Sequence, residues 1–274
     1  ATRGCLPLGE RAFNRLLGLM IYCGDMLSLN RLTKPLRVLL LAGVAAIAIS
    51  ACASNRGNMP SPDYSGMAAG QTQQSLAELT ARYKANPRDK GIAIHYAAAL
   101  RAVGQSKQAV SVLEISLGYY PQDVDIAVAY AKALTADGRF DQSLQVLDNV
   151  IRPEAPDWNA LLVKGATLDQ LGRNQQARQL YTQALVFAPG EASIEANMGL
   201  SYAMTNELPA AEQHLRRAVQ MRGATSRIRQ NLALIVGLQG RFNEARALYA
   251  AELPPAQVES NMAYVRALLT QQNR

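Results

Sequence analysis

Cysteine and histidine are scarce, with three and two residues in a chain of 274. These are too few to build a disulfide scaffold or a multi-ligand zinc site unaided. An acid–base pair that uses imidazole has only His95 and His214 to draw on. Twelve prolines and 19 glycines exclude a collagen-like or low-complexity chain, and 49% hydrophobic content excludes global disorder. Basic charge is not concentrated: the net +7 divides into +4 up to Ala51 and +3 from Cys52 onward. So small an excess, with charges of both signs interspersed, lacks the footprint of a nucleic-acid binder. The length fits one or two domains at roughly 100–200 residues each.

The first clear pattern is an address. From Met26 the chain reads MLSLNRLTKPLRVLLLAGVAAIAISACAS. Arg31, Lys34 and Arg37 form a basic start, Val38 to Ile49 is an uncharged aliphatic run of 12 residues, and small residues lead to Cys52. This is the layout of a secretory signal peptide. The run is short for a membrane-spanning helix, which needs about 20 residues. Ile49-Ser50-Ala51-Cys52 resembles the bacterial lipobox. The resemblance implies cleavage before Cys52 and a lipid on its sulfur, and two such acyl signals suffice for stable anchoring. Ala53 stands where inner-membrane retention would place Asp, so the same family rule implies the outer membrane.

The expected organisation starts with residues 1–25 as an upstream translation artefact, the true start being Met26 or, less readily, Met20. The signal peptide is then 26–51. Residues 52–70, rich in Asn, Ser, Gly and Pro, have the composition of a flexible tether. Residues 71–272 form the folded part.

Within it the chain repeats itself every 34 residues. Gly104, Gly138, Gly172 and Gly240 share one grid, and Asn206 fills the missing point. Asparagine is the residue that next best tolerates the left-handed conformation. Pro87, Pro121 and Pro189 share another grid, with Pro156 one place late and Gly223 in phase. Ala109, Ser143, Ala177, Ala211 and Ala245 are a third, of small residues. Each unit decodes as two antiparallel helices. In the third, Asp157-Trp158 opens one apolar-periodic run, Gly172-Arg173-Asn174 turns the chain, and a second run stops at Pro189.

The anchors Trp158, Leu161, Gly165, Leu168, Ala177, Tyr181, Ala184 and Pro189 resemble the tetratricopeptide repeat, and the other four units carry the pattern in phase. The implied fold is all-α: a right-handed solenoid of about five repeats at 90–123, 124–157, 158–191, 192–225 and 226–257. QTQQSLAELTARYKANP precedes the first repeat as an end helix. A second end helix spans 255–272, its Met262, Tyr264, Val265, Leu268 and Leu269 covering the last repeat. Gln257, Glu259, Gln271 and Gln272 help give it the polar outer face a terminal element needs.

Little in the sequence suggests catalysis, a cofactor or a metal. His95 and His214 fall in different units with no Cys or carboxylate at ligand spacing, and read as surface or packing residues. Ser201 and Ser226 have no evident base, and Arg216-Arg217 reads as a solvated helix face. In the repeat family the first helix of each unit lines a concave groove. The resemblance places Lys132, Asn159, Asp169, Gln170, Asn197, Met204, Arg227, Gln230 and Asn231 there. Asn197 and Asn231 stand 34 apart, and an amide can both donate to and accept from an extended peptide backbone. The alternative is that these amides satisfy neighbouring helix ends.

The closing stretch narrows the resemblance. Asn231, Gly240, Arg241, Phe242, Leu253-Pro254-Pro255, Asn261, Ala263, Tyr264 and Arg266 are similar to the C-terminal pattern of the TadD family, repeat lipoproteins of the tight-adherence (Flp) pilus machinery. That implies a lipid-anchored protein on the periplasmic face of the outer membrane. It would assist the pilus secretion apparatus, with secretin subunits as candidate protein partners and no nucleic acid. Two other roles fit the same architecture: a pilotin-like or barrel-assembly factor of another outer-membrane system, and a scaffold for cell-wall enzymes.

Overall fold

A computed structural model of the chain describes residues 69–272. The expected artefact, signal peptide, Cys52 and nearly all of the tether therefore lie outside the described residues. The first element, α1 (Ala69–Ala85), begins two residues before the expected tether ends. Five helix pairs follow: α2 (Lys90–Ala102) with α3 (Ser106–Tyr119), α4 (Val124–Ala136) with α5 (Phe140–Asp148), α6 (Trp158–Gln170) with α7 (Asn174–Phe187), α8 (Ala192–Met204) with α9 (Leu208–Gln220), and α10 (Ser226–Leu238) with α11 (Phe242–Ala250). The chain closes with α12 (Pro255–Gln272), and no strand occurs among the described residues.

Each pair is bounded by backbone chemistry that repeats with the sequence. The first helices are capped by Asp89, Asp123, Asp157, Glu191 and Thr225, themselves 34 apart. Their side-chain oxygens accept from N–H groups left open in the first turn, such as Ile92 N at 2.8 Å and Ala160 N at 2.8 Å. At the other end the chain must turn left-handed. Gly104, Gly138, Gly172 and Gly240 have φ between +73° and +81°, and Asn206 has +61°. The next residue's N–H then returns to a carbonyl in the last turn, as in Arg173 N to Leu168 O at 2.9 Å.

The second helices of repeats two and five are short, nine residues each. In repeat two, Pro153 forbids continuation. The connection 149–157 is longer than in the other repeats because α5 stops early, while the unit keeps its 34-residue length. Ile151 from this connection packs onto the core, and Asp157, 34 residues after Asp123, caps α6.

Packing makes a continuous inner layer. The first helices touch one another in sequence, α2 to α4 to α6 to α8 to α10, while no pair of second helices is in comparable contact. The second helices thus lie on the wider, outer side. The small residues at the start of each second helix are fully buried: Ala109, Ser143, Ala177, Ala211 and Ala245 are each 0% exposed. Glycine allows the closest approach. A Cβ at Gly165 would sit 2.5 Å from the ring of Tyr181, and one at Gly199 would sit 2.9 Å from the Ala211 carbonyl oxygen. Buried Leu, Ile and Tyr side chains link every unit to the next, each contributing roughly 1.5–3 kcal/mol. At the end, Met262, Val265 and Leu268 of α12 are buried against α10 and α11, with Tyr264 and Leu269 half-buried beside them.

Candidate binding groove

All nine expected groove residues lie on first helices, on the inner layer: Lys132 on α4, Asn159, Asp169 and Gln170 on α6, Asn197 and Met204 on α8, and Arg227, Gln230 and Asn231 on α10. Seven of them are half-buried rather than freely exposed. Lys132 and Asn159 meet across repeats two and three, with Nζ 3.4 Å from Oδ1. Asn197 donates to the Ser193 carbonyl at 2.8 Å, one turn back in its own helix, and Gln230 donates to Ser226 Oγ at 3.1 Å. The Gln170 amide nitrogen is buried with no hydrogen-bond partner.

Two of the nine are corrected by the structure. Asp169 is 0% exposed and belongs to the interior. Its carboxylate accepts from Tyr181 OH at 2.7 Å, Asn174 Nδ2 at 2.8 Å and Ser201 Oγ at 2.8 Å. Met204 is buried too, its sulfur 4.0 Å from Asn174 Nδ2. Both face neighbouring helices because α6 and α8 are covered on two sides, by their own second helix and by the next unit. Burial pushes the Asp169 carboxyl up to about 6, against the pull of its three hydrogen bonds and of Arg178 nearby.

The outer side is more structured than the sequence suggested. Arg216 bridges Glu212 and Glu244 at 2.7 and 2.6 Å, joining repeats four and five, and Arg241 reaches Glu212 at 2.5 Å. Arg217 reaches Glu195 at 3.1 Å. The face expected to be solvated is so, and it also carries an ion-pair lattice. Burial would raise the Glu212 carboxyl, but the bonds from Arg241, Gln239 and Arg216 outweigh it and bring it down to about 2. His214 Nδ1 lies 2.7 Å from Glu195 Oε2, so a carboxylate does stand beside this histidine. Its ring stacks on Tyr202 with centroids 5.1 Å apart, and Arg178 lies 3.8 Å over the same tyrosine. Sequence reasoning missed Glu195, Tyr202 and Arg178 because their proximity is tertiary. The capping column is legible in the 34-residue spacing, although Asp157 alone stands out as a helix start without it.

His95 lines a shallow depression of about 210 Å³ with Leu79, Arg82, Asp89, Gly91 and Ile92. Burial, and then Arg82, hold its imidazole below the usual value. Among the described residues no cluster of three or more His, Cys, Asp or Glu is placed to hold a metal ion. Also among them, no helix is long and apolar enough to cross a membrane. What the inner layer offers is a row of amides and a few cations between apolar patches, suited to hydrogen bonding an extended chain.

Comparison with known proteins agrees with this geometry. The tetratricopeptide-repeat family profile matches residues 100–165. No curated protein matches the chain significantly. Among solved structures, a thermophilic TPR protein of Thermus thermophilus is similar at 22% identity and a TM-score of 0.55, covering 72% of this chain and 99% of its own. A tetratricopeptide repeat protein from Parabacteroides merdae is similar at 13% identity and a TM-score of 0.58, covering 75% and 79%. The in-phase caps, left-handed turns and glycine contacts together with these likenesses identify the fold of the described residues as a tetratricopeptide-repeat superhelix.

Proposed function

We propose that this protein is a lipid-anchored, protein-binding scaffold of the Flp pilus secretion apparatus, held at the periplasmic face of the outer membrane through Cys52. The scaffold part is carried by the inner layer of first helices, an uninterrupted surface from α2 to α10 with polar side chains spaced along it. The pilus part is supported by the closing motif. Leu253-Pro254-Pro255 ends the last repeat and starts α12, whose Arg266 stacks over Phe242 at 5.8 Å, so two of the residues that resemble TadD are in mutual contact. A tether at the membrane would raise the effective concentration of the groove for partners assembling there.

The deciding experiment pairs Asn197→Ala with Asn231→Ala and measures surface pili and capture of secretin subunits at matched expression. The pair should reduce both, with affinity down by about one to two decades if two backbone contacts worth about 1–3 kcal/mol are lost. The control is Gln179→Ala with Gln183→Ala, two exposed positions on the outer helix α7. Arg216 and Arg217 cannot serve as controls, because they join α9 to α11 and α8. Normal pili in the asparagine pair with loss in the glutamine pair would place binding on the outer side and reject the groove.

A further inference from the structure

The inner helices are unevenly charged. Along α2, α4, α6, α8 and α10 the sequence places six Lys or Arg against three Asp or Glu. The three acids are all engaged. Asp169 is 0% exposed, and Glu195 is 6% exposed and bonded to His214 and Arg217. Asp125 is matched by Lys90 at 2.8 Å. Two other cations are held by second-helix elements, Lys164 by Asp148 of α5 and Arg229 by Glu252 just beyond α11. The excess positive charge of the inner face is therefore carried by Arg101, Lys132 and Arg227, each half-buried. The remaining carboxylates next to these helices stand at the two rims. They are the caps Asp89, Asp123, Asp157 and Glu191 at the helix starts, and Asp137 at the end of α4.

The three cations follow a line. Arg101 is the twelfth residue of α2, Lys132 the ninth of α4, Asn197 the sixth of α8 and Arg227 the second of α10. The first helices lie side by side in sequence, so this steady retreat crosses the groove obliquely from one rim to the other. In α6 the line passes between Leu162 and Ala166, where the surface is uncharged. Packed helix axes are about 8–10 Å apart and each residue rises about 1.5 Å, which makes the line roughly 40 Å long. An extended chain covers that with about a dozen residues. Gln170 stands one turn beyond Ala166, and its amide nitrogen has no acceptor within the fold. Turning that amide onto a ligand oxygen costs the nitrogen no hydrogen bond.

We propose that the groove takes an extended acidic segment of a protein partner, about a dozen residues long, with carboxylates at both ends and an uncharged middle. This rests on the groove being the protein-binding surface and names what that surface selects. Carboxylates at one end of the segment meet Arg101 and Lys132, and those at the other meet Arg227. The middle lies over Leu162 and Ala166, with the Asn197 amide beside its backbone. A guanidinium can hold a carboxylate through two parallel N–H···O bonds. A concave surface of one charge sign gathers acidic segments and turns basic ones away. A nucleic-acid strand carries the same charge sign, but single strands are held by stacking their bases on aromatic rings. The rings of the inner helices are engaged elsewhere. Tyr96 and Tyr130 are buried, Trp158 packs on the core of the third repeat, and Tyr202 is covered by Arg178 and His214.

The test uses the full chain in detergent micelles and fluorescein-labelled peptides of about a dozen residues. One peptide has paired glutamates at each end and a centre of Gly, Ala, Leu and Ser. A second has glutamines in place of the glutamates, and a thymidine oligonucleotide of equal charge is the third probe. By fluorescence anisotropy the acidic peptide should bind about tenfold more tightly than the glutamine peptide at about 0.05 M salt, and the ratio should fall towards one at about 0.5 M. Arg101→Gln with Arg227→Gln should bring the low-salt ratio close to one. Lys132→Gln alone should lower it about twofold, and decides the matter if the arginine pair does not fold. The ratio is taken on one sample, so partial unfolding weakens both peptides and leaves it readable. Asn197→Ala with Asn231→Ala should weaken both peptides and keep the ratio. No binding of the acidic peptide, a ratio near one in the parent, an unchanged ratio in the cation variants, or tighter binding of the oligonucleotide overturns the inference. Surface pili in the asparagine pair judge the groove itself, so lost pili without any charge preference would reject the acidic segment and keep the groove.

Discussion

Gly165 sits in α6 where an alanine methyl would meet Tyr181, a ring that is itself 0% exposed and tied to Asp169. The ring has nowhere to go without breaking that bond. Gly165→Ala gains about 1 kcal/mol of helix propensity, yet overpacking typically costs about 1–3 kcal/mol and the Asp169 link adds to the loss. Net destabilisation is expected, read as a lower urea midpoint, and an equal or higher midpoint would show that the core yields freely. The sequence pointed to this glycine through its register. It did not reveal that the aromatic partner is held by a buried carboxylate, since Asp169 and Tyr181 are twelve apart and on different helices.

At the scale of helices, α9, α10 and α11 are fastened through Glu212. Its carboxyl is drawn down to about 2, well below its ordinary value near 4.5. A group depressed in the folded state contributes stability that is present above the ordinary value and is lost as pH falls through the folded one. Glu212→Gln should therefore lower the urea midpoint at neutral pH. The gap to the parent chain should narrow progressively once the pH drops below about 4.5. A gap that stays constant down to about pH 3 would mean that the charge of Glu212 does not matter. The sequence showed Arg216-Arg217 as a solvated helix face and did not single out Glu212. Their partners on α8, α10 and α11 are set by how the repeats stack.

At the scale of the whole molecule, the array of helix pairs is proposed to be held by a lipid anchor at Cys52 in the N-terminal segment. The lipid anchor is tested at this scale. Cys52→Ser should abolish metabolic palmitate labelling and leave the protein unprocessed or released from the outer membrane, while the helical spectrum of the array is unchanged. Labelling that persists in the variant would move the acyl group to another residue and end the lipobox reading.

The period of 34 determined by itself the number of helix pairs, the positions of their turns and the burial of the small-residue column. These are local matters: a left-handed φ needs Gly or Asn, a helix cannot run through proline, and a close approach needs a small side chain. The end helix α12 was legible too, from its apolar spacing after Pro254-Pro255. The tertiary structure alone decided which polar side chains face the groove and which are consumed inside. Asp169 has the same helix position and polarity that an open groove residue would have. It is removed from the surface because Tyr181, Asn174 and Ser201, on two other helices, donate to it at once. His214 likewise gained a carboxylate and an arginine as neighbours only when Glu195 and Tyr202 of α8 and Arg217 of its own helix closed around it. Periodicity assigns a residue to a face, but what it meets there depends on the side chains that the next unit brings.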